Sequence, residues 1–366
     1  MKEKVGIGLI GTGFARKVQL PAFLACEGAW VASVSSASYE NAQAAADDFG
    51  IGHFSADWRD TILHPEVDLV CITTPPYLHR EMTLFAIEHG KHILCEKPMA
   101  MSVAEAQEMT SAAAAVAAAG RPILALIDHE LRFQPGRQVA KQMLHDGVIG
   151  KVRHAKAIFQ APHRGDPNIP WNWWSDAAAG GGALGAINSH IIDSFNWFLE
   201  APIQTVLCQL QSHIAQRRAP NGEMRQVTTD DEANMLLRFE DGPITDHSTG
   251  LVSVSMVEYP SYQNRVEFYG SKGALRIDHR GDAFIAMAGD DWRPVETPIL
   301  ENVGNYPDTG FPRGFMGFAP KIIDAIRKGE TSISDAATFE DGLEVQRVLD
   351  ASRISSRQGH IVVIQR

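Results

Sequence analysis

The first 127 residues alternate short apolar runs with helix-forming stretches, and that alternation restricts the fold more than any other feature of the chain. The apolar runs are Val5–Ile10, Trp30–Val34, Asp68–Thr73, His92–Cys95 and Ile123–Ile127. Helix formers fill 14–27, 39–49, 77–89 and 103–119, with Pro21 weakening the first of these locally. Strands alternating with helices predict βαβ units and a doubly wound parallel sheet. Beyond residue 128 the pattern changes. Strand-like runs at 152–159, 203–212, 233–239, 244–256, 265–269 and 274–277 dominate, with helix signals at 135–146, 188–199, 315–328 and 338–357 and a short strand at 361–364. Runs of strands with few helices between them predict a large, mostly antiparallel sheet covered on one face. The expectation is an α/β chain in two parts, a doubly wound domain over 1–127 and an α+β domain over 128–366.

A chain of 366 residues suits two domains of roughly 150 residues or more. With 45% hydrophobic and 21% charged residues it has an ordinary globular composition. The formal charge of −11 argues against nucleic-acid partners, which are held by basic patches, and against anionic membranes. No apolar run approaches the ~20 residues that span a bilayer. None of the four cysteines forms a C-x-x-C pair, so no metal site is expected. Cys71 and Cys95 sit in apolar runs and read as buried thiols in a reducing compartment. The start at Met1 lacks a clean signal-peptide pattern. These features together predict a cytoplasmic protein.

Gly11, Thr12, Gly13, Phe14 and Ala15 link the first strand to the first helix. Glycines at that turn let the backbone approach a pyrophosphate, and the helix N-terminus offers unpaired N–H groups and a favourable dipole. The doubly wound domain therefore reads as a Rossmann domain for NAD or NADP. The motif departs from G-x-G-x-x-G, with Ala15 one place early and Arg16 at the usual third position. About 20 residues on, where NAD binders carry an acid for the ribose 2′-hydroxyl, the chain has Ser35 and Ser36. Nothing there repels a 2′-phosphate, and Arg16 or Lys17 offers a positive charge, so the residues lean towards NADP. Ser35 and Ser36 read equally as ordinary strand-end residues.

Two further motifs, Thr73-Thr74-Pro75-Pro76-x-x-His79 and Cys95-Glu96-Lys97-Pro98, follow at the ends of later strands. In this order and spacing they resemble the Gfo/Idh/MocA family of NAD(P)-dependent oxidoreductases. The resemblance continues through Asp128-His129-Glu130-x-Arg132-Phe133, Gly180-Gly181-Gly182 with His190 and Asp193, Tyr269–Gly273 and Thr338–Gly342. It implies hydride transfer between a nicotinamide and the hydroxyl or carbonyl of a sugar, polyol or inositol-like substrate. It also implies a second domain that binds substrate and pairs into a homodimer or homotetramer. Thr73, Thr74, Pro75, His79, Glu96 and Lys97 are then expected beside the cofactor.

Ligands of open α/β sheets bind outside the carboxyl ends of the strands, where Lys97 falls. A lysine beside a nicotinamide can bond the reacting oxygen and move the proton that accompanies the hydride. Without the family context it reads as a surface lysine paired with Glu96. In many relatives an aspartate stands four residues before the histidine equivalent to His190. Here that position is Ala186, and the intervening glycine position is Asn188. His190 is the remaining proton-handling candidate, and Asn188 a substrate contact. His129 and Arg132 are candidates because the chain passes there from one domain to the other, although Arg132 reads equally as a structural ion-pair partner. Trp174, before the triple glycine, suits either a sugar ring or a packed loop. Loss of the aspartate leaves one alternative, a sensor that binds dinucleotide without turnover.

Overall fold

The structure is a computed structural model and describes residues 3–300 and 309–366. The chain divides into two compact units, Met1–Phe133 with Leu300–Leu343, and Gln134–Ile299 with Glu344–Arg366. This departs from the expected cut at 127, because a late segment returns to the first unit.

The first unit holds six strands: β1 (Val5–Ile10), β2 (Ala29–Ser35), β3 (Phe54–Ser55), β4 (Leu69–Ile72), β5 (His92–Cys95) and β6 (Ala125–Ile127). They lie in the order β3-β2-β1-β4-β5-β6, and every pairing is parallel. That order reverses beside β1, the switch point at which doubly wound sheets bind ligands. The helices are α1 (Leu20–Leu24), α2 (Tyr39–Phe49), α3 (Trp58–Leu63), α4 (His79–Glu88) and α5 (Val103–Ala118). Pro21 ends no helix. It sits in the first turn of α1, directly after a wide π-type turn, Ala15–Gln19, where its missing N–H costs least.

In the second unit α6 (Pro135–His145) precedes β7 (Val152–Gln160), and α7 (Ser189–Leu199) precedes β8 (Ile203–Gln211). Then come β9 (Gln216–Arg218), β10 (Met224–Gln226), β11 (Glu232–Phe239), β12 (Thr245–Ser255), β13 (Gln263–Gly270), β14 (Gly273–Ile277), β15 (Ala283–Met287) and β16 (Arg293–Pro294). With β17 (Val362–Val363) they form a nine-stranded sheet, β16-β15-β14-β13-β7-β12-β11-β8-β17, and a separate β9-β10 pair. Only β7 and β12 pair in parallel within the large sheet. Along β11, buried Ala233, Met235, Leu237 and Phe239 alternate with more open residues, the mark of a sheet covered on one face.

The returning segment supplies α8 (Phe311–Lys328) and the start of α9 (Phe339–Gln358). Both faces of a parallel sheet must be covered. One face of the six-stranded sheet packs on α4 and α5 through Met82, Ile87 and Met109. The other packs on α1 and α8 through Phe23, Phe315, Phe318, Ile322 and Ile323. Phe315 meets Phe23 edge-on at 5.3 Å, and Phe318 stacks on Phe133 at 4.3 Å. The helix approaches so closely that a Cβ on Gly314 would lie 2.3 Å from the Glu130 carbonyl oxygen.

Candidate active site

Gly11 follows β1 with φ of +97°, and a Cβ there would lie 2.6 Å from the Thr73 carbonyl oxygen. Only glycine takes this conformation without strain. Thr73 closes the turn, its hydroxyl donating to the carbonyls of Ile10 and Gly11 at 2.9 and 3.0 Å. Gly13 differs: a Cβ there would meet nothing within 4 Å. The helix that begins at Ala15 has no side-chain cap at Phe14. An open glycine before an uncapped helix start is the environment a pyrophosphate needs. Thr12 and Phe14 are half-buried in the same turn and Ala15 is buried beneath it.

The second unit shows what the same device looks like when the protein supplies its own acid. Gly182, with φ of +107°, precedes another π-type turn, Leu184–Asn188, which runs into α7. There the Asp230 carboxylate accepts the Leu184 N–H at 2.6 Å. The residues at Phe14 fit an exogenous anion because, among the described residues, no such carboxylate caps the turn.

At the end of β2, Ser35 is buried and its carbonyl takes the Gly11 N–H at 2.8 Å. Ser36 is half-buried. Ser38 caps α2 by accepting the Asn41 N–H, and its hydroxyl donates to the Glu40 carboxylate at 2.8 Å. A carboxylate therefore does sit at the β2–α2 turn, supplied from the helix rather than the strand. Glu40 is held below the usual carboxylate range by its own backbone N–H and by Ser38. Arg16, a candidate for a 2′-phosphate, is instead paired with Asp48 on α2.

The turns after β4 and β5 are tied together by His79. Its ring is fully buried, with Nδ1 3.0 Å from the Pro98 carbonyl oxygen and Nε2 2.9 Å from that of Thr74. Burial pulls its pKa down against the pull of those carbonyls. Both ring nitrogens face backbone, so this side chain braces the two turns rather than reaching a dinucleotide. Thr74 and Pro75 are half-buried above it.

Lys97 follows β5 directly, with its side chain 21% exposed and Nζ 3.7 Å from Glu96 Oε2. Glu96 turns inward and is buried with Asp128, which follows β6. Gln19, on the inner side of the first helix, lies between them: its Nε2 is 2.8 Å from Asp128 Oδ2 and 3.5 Å from Glu96 Oε1. Sequence motifs picked out Glu96, expected beside the cofactor, and Asp128, but missed Gln19 and the inward turn that buries Glu96. The available signal was a glutamine at 19 on a helix face otherwise made of Ala15, Val18 and Leu20.

Of the remaining candidates, Arg132 is buried and pairs with Asp341 at 3.2 Å and with the Asp335 carbonyl at 3.3 Å. It serves as a tie to the returning segment, one of the two readings its position allowed. His129 is buried beside it in sequence. In the second unit Asn188 and His190 are buried at the start of α7, and the Asn188 amide donates to Met235 Sδ at 3.6 Å. Trp174 is half-buried, with the Arg164 guanidinium 4.4 Å above its ring, and its carbonyl accepts the Thr229 hydroxyl.

The sequence matches a family model described as an oxidoreductase family with an NAD-binding Rossmann fold over residues 5–119, and the GFO/IDH/MocA C-terminal domain over 138–276. It is 32% identical over 369 positions to an uncharacterized oxidoreductase of Synechocystis, covering 98% of this chain and 95% of that one. It is 28% identical to levoglucosan dehydrogenase of Pseudarthrobacter phenanthrenivorans, with 95% of each chain covered. The solved structure of a levoglucosan dehydrogenase in complex with NADH and L-sorbose superposes with a TM-score of 0.88 at 26% identity, over 100% of both chains. With its open glycine turn, its lysine after β5 and these matches along nearly its whole length, the chain belongs to the Gfo/Idh/MocA family of oxidoreductases.

Proposed function

We propose that this protein oxidises a secondary hydroxyl, or reduces the matching carbonyl, of a sugar or a related polyol or inositol. The observation that carries the reading is Lys97, partly exposed at the carboxyl end of β5 with a carboxylate behind it. Relatives that act on levoglucosan and bind L-sorbose support a cyclic polyhydroxylated substrate. The dinucleotide would be held by the backbone of Gly11–Ala15, by Ser35 and Ser36, and by the Thr73–Pro75 turn. When bound, its nicotinamide supplies or accepts the hydride. Lys97 bonds the reacting oxygen and moves its proton. His190 is the second proton-handling group and, with Ala186 in place of the family aspartate, works without that partner. His129, Asn188 and Trp174 are the proposed substrate contacts.

The preferred nucleotide is NAD. The lean towards NADP rested on the missing acid after β2. Glu40 and Asp48 both bring carboxylates to α2, and the Asp48 carboxylate occupies Arg16. A 2′-phosphate would meet negative charge on that helix. Titration with NADH and with NADPH tests this, followed by a panel of sugars, polyols and keto-sugars read by nicotinamide absorbance. Tight dinucleotide binding with no turnover of any compound in either direction would defeat the enzymatic assignment.

Two coarser properties follow the same reading. Leu236 on β11 is 55% exposed and pairs across the sheet with exposed Leu251 on β12, so the uncovered sheet face carries apolar side chains. A second copy is the proposed cover, giving a homodimer or homotetramer, which light scattering distinguishes from a monomer. Among the described residues no helix is long and apolar enough to cross a membrane. The four cysteines are unpaired, which supports a reducing, cytoplasmic location.

A further inference from the structure

Glu96 and Asp128 are packed in the interior of the first unit with far fewer hydrogen-bond donors than acceptors. Asp128 is 0% exposed, Gln19 0% and Glu96 8%. One amide NH2, that of Gln19, serves both carboxyl groups, and the backbone N–H and ammonium of Lys97 add donors to Glu96 alone. Asp128 Oδ1 and Gln19 Oε1 are buried without any partner. Glu130 adds a third carboxyl, 1% exposed, next to Asp128. The cation facing the pair is Lys97. Among the described residues, the other titratable groups around it include the thiols of Cys71 on β4 and Cys95 on β5, His79 on α4, which faces Lys97, and the buried His129 next to Asp128 in the chain. Burial pushes both thiols up, so they stay neutral and offer no counter-charge, and it pulls the His79 pKa down against the carbonyls that face its ring. Two adjacent carboxylates cannot both stay ionised in such a place. A proton on either one also supplies the donor that the orphaned acceptors lack.

We propose that Glu96 and Asp128 hold one proton, and so one negative charge, between them, and that this shared charge governs when Lys97 releases its own proton. The proposal rests on the reading of Lys97 as the proton-transfer group. In the oxidative direction an N–H bond of Lys97 breaks as an O–H bond forms on Glu96 Oε2, leaving the amine neutral. The amine then takes the substrate hydroxyl proton as the hydride departs, and the proton parked on Glu96 leaves later to solvent. Glu96 and Asp128 are thus positioning residues that act through Lys97. Burial pushes both carboxyls up, with Glu130 and Glu96 adding to the shift of Asp128 and Lys97 opposing that of Glu96.

The test compares Glu96→Gln with Asp128→Asn. Each variant keeps one carboxyl, and so one negative charge, but in a different place. In Glu96→Gln the charge moves to Asp128, away from Lys97, and the lysine titrates at lower pH. In Asp128→Asn it concentrates on Glu96, and the lysine titrates at higher pH. The readout is the Cε resonance of Lys97 in protein labelled with [ε-13C]lysine and free of dinucleotide, assigned by its absence in Lys97→Arg. The midpoint of the acid limb of turnover should move the same way. Downward shifts in both variants would mean that both carboxylates are ionised, and no shift that neither is; either result overturns the proposal. Should neither variant fold, 13C carboxyl spectra of the wild-type protein decide. One protonated carboxyl that moves in Lys97→Met supports the pair, and none overturns it. Normal turnover in Lys97→Ala would defeat the assignment of the lysine while leaving the titration of the pair measured.

Discussion

Asp230 caps a helix that it does not belong to: its Oδ2 accepts the backbone N–H of Leu184 at 2.6 Å, at the π-type turn leading into α7. The acid is half-buried, and desolvation pushes its pKa up while the Leu184 N–H pulls it back. Asp230→Ala should remove about 1–2 kcal/mol from the second unit, the usual worth of a lost N-terminal cap. Urea denaturation followed by the tryptophans of that unit would show it, and an unchanged midpoint would remove the capping role.

The two glycines of the first turn should respond in opposite ways. Gly11→Ala forces a left-handed φ on a side chain and drives its Cβ into the Thr73 carbonyl, so the free protein should lose about 1–3 kcal/mol. Gly13→Ala meets open space, so stability should stay within about 0.5 kcal/mol. Its methyl group would instead stand where the dinucleotide backbone approaches, weakening binding by roughly tenfold or more. Equal effects of both variants on both measurements would contradict the site.

Lys97→Ala should lower turnover by roughly 10²- to 10⁴-fold, the ordinary contribution of a positioned proton-transfer group. Dinucleotide affinity and thermal stability should change little, because Lys97 is partly open and, among the described residues, its ion pair is with Glu96. Parallel loss of affinity and activity would reassign the lysine to cofactor binding.

The buried acid Asp128 makes a prediction for stability against pH. Its pKa stands well above 3.8, first because of burial and then because of Glu130 and Glu96. An acid with a raised pKa binds its proton more tightly in the folded state. Its contribution is therefore full below the unfolded value and is lost as pH rises through the folded one. Asp128→Asn has no proton to lose at that position, so the variant should gain on the wild type as pH rises from 5 to 8. Chemical denaturation at both ends of that range measures it, and a difference that shrinks with rising pH would be the contrary result.

Local sequence determined much of this protein. The period of the apolar runs made five of the six strands of the parallel sheet legible, because a strand buried on both faces must be apolar throughout and its crossovers must be helices, whereas two-residue β3 at Phe54–Ser55 carries no such run. Gly11, Gly13 and Lys97 stood out as candidates because a glycine turn after a strand and a strand-end lysine are properties of single residues in short motifs. Other features depended on residues far apart in the chain, and only tertiary packing brought them together. The segment carrying Phe315 and Phe318 returns to the first unit because a face of its sheet was still uncovered, which no window of sequence reveals. Glu40 reaches the β2–α2 turn through the Ser38 hydroxyl, supplying the acid that the strand itself lacks. His79 and Arg132 stood among the candidate ligand contacts, and only the fold set the His79 ring between two backbone carbonyls and paired Arg132 with the Asp341 carboxylate. Above all, Gln19, Glu96 and Asp128 are ordinary polar residues in sequence. Burial in one pocket beside Lys97 turns them into a charge-sharing unit, because the cost of an unpaired charge depends on its surroundings and not on the residue that bears it.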